Sequence, residues 1–302
     1  MPIILPFYHC IDKANNCAHI RHLYPLRDVN TFRQDIDFLC QHYEAISLAE
    51  LLAWRRGEIQ IKRPSFYLTF DDGLRQCFDI IRPILLEKGI SASFFINSDF
   101  VDNKDLMYRY KVSLLLEKIQ SLKSAILPFT KKEILAFTHL DIAIIDQLCA
   151  EFEVDIAAFL KDYQPYCTSA QLQTMITDGF DIGSHSASHA RYHLLDLENQ
   201  VQESEKAAAF INQHLYSKTK SIATFAFPFT DDRVSAQFWQ KTNFDLTFGT
   251  AGLKHSTIKN HLQRIAIEQY APNMPLSHIL KTNYLAYWMK KSLDKHYTTH
   301  SY

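Results

Sequence analysis

The sequence predicts an α/β protein in which parallel strands form a sheet or barrel and helices cover the outside. The main evidence is that short strand candidates alternate with stretches of helical periodicity along most of the chain. Acidic and histidine-rich segments directly follow two of these strands, as functional groups do in folds of this kind. The 302 residues are 47% hydrophobic and 22% charged, a composition that excludes an intrinsically disordered chain. We therefore expect one large domain, 1–302.

The first third of the chain shows the alternation clearly. The apolar segment Ile3–Tyr8 predicts a buried strand, and apolar residues at helical spacing predict a helix over about 32–43. Ser47 and Glu50 form a capping-box pattern, which predicts a short helix that ends near Gly57.

The same criteria place the later elements. The aromatic and β-branched run Phe66–Phe70 predicts a second buried strand, followed by a helix that stops at Gly89. Between about 104 and 166 the pattern changes to helical segments without strands, and we interpret this region as a helical insertion that forms a lid or an interaction surface. Further strands are predicted at Ala92–Ile96, Phe180–Gly183, Thr224–Phe227, Leu246–Phe248 and Leu262–Ile267, and further helices at Asp196–His214, Val234–Lys241 and Leu276–Lys291.

The charge balance and the lack of long apolar segments exclude several classes of function. Lys and Arg number 32 and Asp and Glu number 33, so the net charge of -1 does not favour nucleic-acid binding. No apolar run approaches the roughly 18 residues of a membrane span, and the start of the chain lacks the features of a signal peptide. Six scattered cysteines are expected to be reduced. These features predict a cytoplasmic protein and leave its oligomeric state open.

Two adjacent acids, Asp71 and Asp72, directly follow the predicted strand Phe66–Phe70. Two carboxylates at the end of a buried strand are costly unless a positive group lies beside them. Neighbouring residues of a strand point to opposite faces, but the turn that Gly73 permits could bring both acids to one cavity. The alternative is an ordinary Asp-Gly turn with both acids in solvent.

Two histidines, His185 and His189, follow the predicted strand Phe180–Gly183. Residues four apart share one face of a helical turn, and two imidazoles at this spacing suit a metal ion. The alternative is a pair of ordinary surface histidines, since the chain contains 14 histidines. We interpret His255 and His261, near the last strand, as surface residues.

Taken together, these segments resemble a known family. Leu68–Gly73 and Asp181–His189 are similar, in order and in strand context, to the first and second motifs of the polysaccharide deacetylases, the NodB-like family 4 carbohydrate esterases. The Tyr-His pair near the start is similar to a branch of the family with an N-terminal Tyr-His motif. Weaker matches lie at Phe7–His9, Ala92–Ile96, Phe225–Phe229 and Gln263–Ile265.

The resemblance implies a distorted (β/α)7 barrel that holds one divalent metal ion, usually Zn²⁺. It implies that Asp72, His185 and His189 are the metal ligands and that Asp71 is the catalytic base. Two neutral imidazoles and one carboxylate leave open coordination positions, as in a catalytic zinc site. The implied reaction removes the N-acetyl group from an amino sugar or glycan precursor: metal-bound water attacks the amide, and Asp71 takes up its proton. An N-acetylated saccharide is therefore the expected substrate.

The chain departs from the family pattern in its third motif. The arginine that usually lies two residues before the proline and contacts the base is replaced by Ala226, although Phe227 and Pro228 retain the aromatic-proline character expected beside the substrate or the base. Arg264, a polar residue in an apolar predicted strand, is our candidate to replace that arginine and keep Asp71 ionised. The alternative is an exposed strand arginine.

The usual fourth motif and the C-terminal histidine motif, which supplies the general acid in other members, are not evident. His9 ends the first predicted strand, and in a parallel barrel it would emerge at the same rim as Asp71 and His185. We therefore predict that His9 protonates the leaving amine. A strand-end histidine bound to a loop carbonyl is the alternative.

Two other functions are compatible with these residues. The same barrel and metal could hydrolyse another small amide, imide or ureide, and a degenerate relative could bind metal or a saccharide without turnover. Assays with and without a chelator distinguish the enzymes from the degenerate relative. A panel of N-acetyl sugars, cyclic imides and ureides distinguishes the two enzymes.

Overall fold

The fold is given by a computed structural model that describes residues 3–13, 16–122, 129–216, 223–293, 295–298 and 300. The strands are β1 (Ile3–Ile4), β2 (Pro6–Tyr8), β3 (Glu44–Ala45), β4 (Ser65–Phe66), β5 (Leu68–Phe70), β6 (Ala92–Ile96), β7 (Asp181–Ser184), β8 (Thr224–Ala226), β9 (Leu246–Gly249), β10 (His255–Ser256), β11 (His261–Gln263), β12 (Ile265–Ala266) and β13 (Tyr297–Thr298). The α-helices are α1 (Val29–His42), α2 (Leu48–Arg56), α3 (Arg82–Lys88), α4 (Tyr108–Ser121), α5 (Lys131–Ala136), α6 (Ile142–Glu151), α7 (Ile156–Tyr163), α8 (Ser169–Thr177), α9 (Leu197–His214), α10 (Ala236–Lys241) and α11 (Leu276–Ser292).

Eight parallel strand segments form the central sheet in the order β11-β9-β8-β7-β6-β5-β2-β12. The edge segments β11 and β12 are separated in the chain only by Arg264. The two edges are therefore adjoining parts of one interrupted strand, and the sheet forms a nearly closed barrel of seven strands. This confirms the predicted distorted (β/α)7 barrel.

Three predicted strands are each divided by a single residue: Leu5, Tyr67 or Arg264. In the first two cases the chain changes sheets, because β1 and β4 belong to a small parallel sheet with β3 while β2 and β5 belong to the barrel. At Arg264 the chain changes partners within the barrel, from β9 to β2. Apolar patterning reports burial, which continues across these transitions, so it could not locate them.

The predicted helices outside the insertion are present, and one further helix, α8, was not predicted. Both hydrogen bonds of the Ser47–Glu50 capping box are present, and α2 ends at Gly57 in the left-handed conformation. The helix predicted before Gly89 contains a π-helical turn, Cys77–Ile81, that continues into α3. A large apolar cluster between the barrel and its helices includes buried residues of β5, β6, α1 and α11.

The predicted insertion is helical throughout its described part, since 104–122 and 129–166 contain α4 to α7 and no strand; 123–128 lie outside the described residues. Its buried residues pack with the loop after β2 into an apolar cluster that includes Ile20, Leu26, Leu115 and Leu148. The insertion therefore packs against the loop that follows β2, the first barrel strand. Among the described helices, none combines the length and the hydrophobicity that a membrane span requires.

Candidate active site

The candidate site lies where the carboxyl ends of several barrel strands open into a cavity of about 510 Å³. Because parallel strands end at one rim, this position brings together residues that are far apart in the chain. The lining residues used below are His9, Asp71, Asp72, Arg109, Tyr110, His185, His189, Phe227, Phe229 and Glu268.

A tight turn after β5 directs two acids into this cavity. Asp72 and Gly73 both adopt the left-handed backbone conformation, with φ of 72° and 64°. A β-carbon on Gly73 would lie 2.9 Å from the Cγ2 of Ile96, so glycine is required by space as well as by conformation. Asp71 and Asp72 are 1% and 3% exposed. This excludes the solvent-exposed Asp-Gly turn.

The prediction of a helical turn at His185–His189 is wrong. These residues form an irregular loop after β7, in which Ser186 and His189 have φ of 65° and 57°. The side-chain amide of Asn97 donates to the carbonyl oxygens of His185 and Ser186, which a helix would have used internally. The loop nevertheless brings both rings together, with centroids 5.0 Å apart.

Asp72, His185 and His189 can hold a metal ion. One ligand atom of each lies within 4.8 Å of the others. The Oδ1 of Asp72 is 3.5 Å from the Nε2 of His185 and 3.3 Å from the Nε2 of His189. This Oδ1 is buried and has no hydrogen-bond partner among the described residues. A buried carboxylate oxygen that faces two imidazoles and receives no proton fits a bound cation.

Hydrogen bonds with neighbouring groups orient two of these ligands, His185 and Asp72. The Nδ1 of His185 lies 2.8 Å from the carbonyl oxygen of Ala226 and donates to it, which leaves the lone pair of Nε2 free for a metal. Burial lowers the pKa of His185 to about 4, so the ring is neutral at physiological pH. The hydroxyl of Tyr110, in α4 of the insertion, donates to the Oδ2 of Asp72 at 2.6 Å.

A second buried group of the same residue types, Asp231, His261 and His300, has a different character. The Nε2 of Gln263 donates to the Oδ2 of Asp231 at 2.7 Å and lies 3.0 Å from the Nε2 of His261, so an amide occupies the position that a cation would take. The orientation of Gln263 follows from its Oε1, which accepts the backbone N–H of Ala251. Asp231, His261 and Gln263 therefore form a hydrogen-bonded network, while the Nε2 of His300 lies 3.4 Å from the Oδ2 of Asp231 without a hydrogen-bond partner among the described residues. His261 is fully buried within it, and its interpretation as a surface residue is wrong.

Arg264 contacts Asp71 with both arms of its guanidinium. The Nη1–Oδ1 distance is 2.7 Å and the Nη2–Oδ2 distance is 2.8 Å. Arg264 is 0% exposed, which excludes an exposed strand arginine, and its Cζ lies 4.3 Å from the centre of the Phe7 ring. Burial acts to raise the pKa of Asp71, but the Arg264 guanidinium, together with His185 and His9, holds that pKa below its usual value. Asp71 is thus an ionised and oriented carboxylate.

His9 is bound by Glu268, the second residue after β12. One Glu268 oxygen accepts from the Nδ1 of His9, and the carboxylate also accepts the backbone N–H groups of His9 and Cys10. Burial opposes the charged ring, but the Glu268 carboxylate raises the pKa of His9 to about 9. The partner of His9 is therefore a carboxylate and not a loop carbonyl.

Of the two third-motif residues Phe227 and Pro228, only Phe227 is among the described residues that line the cavity. Phe227 is buried and lines the cavity. Pro228 is buried in the following turn and is not among the described lining residues. Glu268 and Tyr110, which bind predicted site residues, were not identified from the sequence. Glu268 follows the last predicted strand as Asp71 follows an earlier one, and that position could have indicated it; Tyr110 lies within a helix and has no comparable signal.

Comparison with protein families agrees with this site. Residues 59–244 match the sequence model of the polysaccharide deacetylases, and the match covers more than half of the chain. It includes the Asp71–Asp72 turn and the His185–His189 loop. The chain belongs to the polysaccharide deacetylase family.

Solved structures show the same fold at low sequence identity. The deacetylase PplD of Streptococcus pyogenes, solved in complex with acetate, has a TM-score of 0.60 and 16% identity over 93% of this chain and 98% of its own. IcaB from Ammonifex degensii has a TM-score of 0.56 and 14% identity, over 93% and 97%. A de-N-acetylase from Aggregatibacter actinomycetemcomitans has a TM-score of 0.58 and 13% identity, over 92% and 99%. No curated protein matches the sequence.

Proposed function

We propose that this chain is a zinc-dependent deacetylase that removes the N-acetyl group from an amino sugar or a glycan precursor. The observation that carries the proposal is the position of Asp71, which is bound by Arg264 and lies next to the Asp72–His185–His189 group. The similar deacetylase of Streptococcus pyogenes was solved with acetate. Acetate is the acid that the proposed reaction would release.

Each residue has a defined task in this proposal. Asp72, His185 and His189 would hold the ion, and their one oxygen and two nitrogen ligands suit zinc. When bound, the ion would acidify a water molecule and polarise the amide carbonyl. Asp71 accepts the proton of the attacking water, a task for which the charge of Arg264 keeps it ionised.

His9 completes the reaction by protonating the leaving amine. The C–N bond breaks with a proton supplied to nitrogen, since an amide anion is too basic to leave unaided. Glu268 holds the Nδ1 of His9 and leaves the Nε2 side of the ring for the substrate. With a pKa of about 9, His9 carries its proton at neutral pH and can act as the acid.

The test is the release of acetate from a panel of N-acetylated amino sugars by the purified protein. We expect release that stops after treatment with a chelator and returns when zinc is added. Asp71→Asn serves as the inactive control, because it keeps the metal ligands. Equal release before and after complete metal removal would contradict the proposal, and so would release by Asp71→Asn at the wild-type rate.

A further inference from the structure

Two arginines meet at one aromatic ring beside the cavity. Arg109 belongs to α4 of the insertion and lines the cavity, while Arg191 follows the His185–His189 loop. The Cζ atoms of Arg109 and Arg191 lie 5.3 Å and 4.8 Å from the centre of the Phe229 ring. Two segments that are distant in the chain therefore place two positive charges around one side chain.

These two charges are not neutralised by acids of the described part of the chain. Neither Arg109 nor Arg191 forms an ion pair with a described Asp or Glu, and the Nε of Arg191 is buried without a hydrogen-bond partner. The acids of the cavity have other partners, since Arg264 binds Asp71 and His9 binds Glu268. Two positive charges that contact one ring without a counter-charge among the described acids favour a bound anion.

The Phe229 ring, which both arginines contact, also packs against a proposed metal ligand. Phe229 packs edge-on against His189, with ring centroids 4.7 Å apart. Its φ is 61°, a backbone conformation that residues other than glycine seldom adopt and that occurs often at functional sites. Arg109 lines the cavity itself, and Arg191, which is not among the described lining residues, contacts the same ring. A sugar whose acetamide lies at the proposed metal ligands would thus extend toward Arg109 and the Phe229 ring.

We propose that Arg109 and Arg191 bind a phosphoryl group attached to the amino sugar, so that the substrate is an N-acetylated sugar phosphate or sugar diphosphate. The inference rests on the proposed deacetylase function and names its substrate class. Two guanidinium groups match the charge of a phosphate dianion better than that of a single carboxylate. The cavity of about 510 Å³ has the size of a small-molecule site.

The first experiment measures binding by calorimetry, with the protein as purified and with N-acetylglucosamine 1-phosphate and N-acetylglucosamine as probes. We expect tighter binding of the phosphate, and a loss of about tenfold in its affinity in Arg109→Gln and in Arg191→Gln. Arg109→Lys should recover part of the loss, because it keeps the charge. Equal affinity of the wild type for the two sugars would overturn the proposal, as would full phosphate affinity in both Gln variants.

Arg75→Gln is the matched control. The Cζ of Arg75 lies 5.4 Å from the Tyr163 ring, a similar contact, and Arg75 is not among the residues that line the cavity. Phosphate affinity should be unchanged in this variant. A loss equal to that of Arg109→Gln would show that the effect is one of general charge, which contradicts a specific site.

The second experiment compares kcat/KM for acetate release among a neutral N-acetyl sugar, its 1-phosphate and an N-acetylated amino uronic acid of the same size. The phosphate-to-neutral ratio should fall about tenfold in Arg109→Gln. Preference for the uronic acid would overturn the phosphoryl assignment. A nucleotide-linked sugar and a lipid-linked sugar diphosphate in detergent then identify the source of the phosphate. Acetate release without phosphate preference refutes this inference alone, whereas Arg109-dependent binding without any release refutes the deacetylase function.

Discussion

Arg264 and Asp71 are 193 residues apart in the chain, yet they form a buried ion pair with two parallel hydrogen bonds of 2.7 Å and 2.8 Å. Arg264 interrupts the last strand at the point where the barrel closes, and Asp71 begins the turn after β5. The pair therefore couples closure of the barrel to orientation of the proposed base. A guanidinium thus contacts Asp71 although the third motif has Ala226 in place of the usual arginine.

The first prediction concerns this pair. In Arg264→Gln the charge that opposes burial is lost, so the pKa of Asp71 should rise. Because Asp71 must be ionised to accept a proton, the acidic limb of the pH–rate profile should move to higher pH, and kcat at neutral pH should fall by about 10²-fold. The measurement is the pH dependence of acetate release, together with the metal content, which should not change.

Two further variants test whether loss of folding, and not the change at Asp71, explains the lower activity of Arg264→Gln. Removal of one partner of a buried ion pair costs about 3–5 kcal/mol of stability, so Arg264→Lys, which keeps the charge without the paired geometry, is measured beside Arg264→Gln. Arg56→Gln breaks an exposed ion pair with Asp245 and should leave both activity and stability near wild type. A folded Arg264→Gln protein with an unchanged pH profile would refute the orienting role.

The second prediction separates the two adjacent acids. Asp71→Asn should keep the metal and lose most activity, because it removes the proton acceptor and not a ligand. Asp72→Asn should lose the metal, because the buried Oδ1 that faces both imidazoles is then part of a neutral amide. Metal analysis and acetate release are measured on both variants. Metal loss in Asp71→Asn with retention in Asp72→Asn would show that the roles are reversed.

The third prediction compares the two Asp-His-His groups. The double variant His185→Ala/His189→Ala should lower the metal content by one ion per chain, since one remaining carboxylate does not hold zinc tightly. His261→Gln/His300→Gln should leave it unchanged, because Gln263 donates a hydrogen bond where a cation would stand. Metal content is measured by elemental analysis of the folded proteins. Full metal content in the His185→Ala/His189→Ala variant would refute the assignment of these residues as metal ligands.

The barrel and the four main site residues could be predicted from the sequence because their signals are local. Apolar runs mark the strands, and the parallel arrangement then places whatever follows each strand at one rim. Asp71 and Asp72 are found in this way, and so are His185 and His189. Arg264 was identifiable because a charged residue inside an apolar strand requires a partner.

The remaining features depend on contacts between distant segments. The loop at His185 is set by Asn97, which takes the carbonyl groups that a helix would use, and nothing in the spacing of the two histidines reports this contact. Burial of His261 results from a network that includes Asp231 and Gln263, whose side chains meet only in the folded barrel. Local patterning contains no information on such pairings.

The fourth prediction concerns Tyr110, which connects the insertion to the proposed metal ligand Asp72. Tyr110→Phe removes the 2.6 Å hydrogen bond to the Oδ2 of Asp72 without changing the aromatic packing. Partners of metal ligands typically contribute about 10–100-fold to metal affinity, so we expect weakening of that order. Competition with a zinc chelator measures it. Tyr163→Phe, which alters a tyrosine outside the cavity lining, serves as the control, and equal affinities in all three proteins would contradict the prediction.

The last prediction concerns the carboxylate that holds His9. A general acid must carry its proton, so activity should fall as the pH rises through the pKa of His9, which Glu268 raises to about 9. Glu268→Gln removes the negative charge, and burial then favours the neutral ring. The alkaline limb should therefore move from about 9 to about 6.5 or below, the ordinary value for histidine. At pH 8 the variant should lose most of its activity, while near pH 6 it should retain much more.

The measurement is the pH dependence of kcat/KM together with NMR titration of His9 in the folded protein. Glu117→Gln is the matched control, because Glu117 lies 2.8 Å from the Nε2 of His22, neither residue is among the described cavity lining, and the change should not affect the profile. His9→Gln should lower kcat by about 10²-fold and leave no alkaline limb to shift.

Linkage gives an independent check on the sign: since the folded-state pKa of His9 is raised, its contribution to stability is full below pH 6.5 and is lost as the pH rises through about 9. Glu268→Gln should abolish that dependence, and an alkaline limb that stays near 9 in this variant would show that another group delivers the proton.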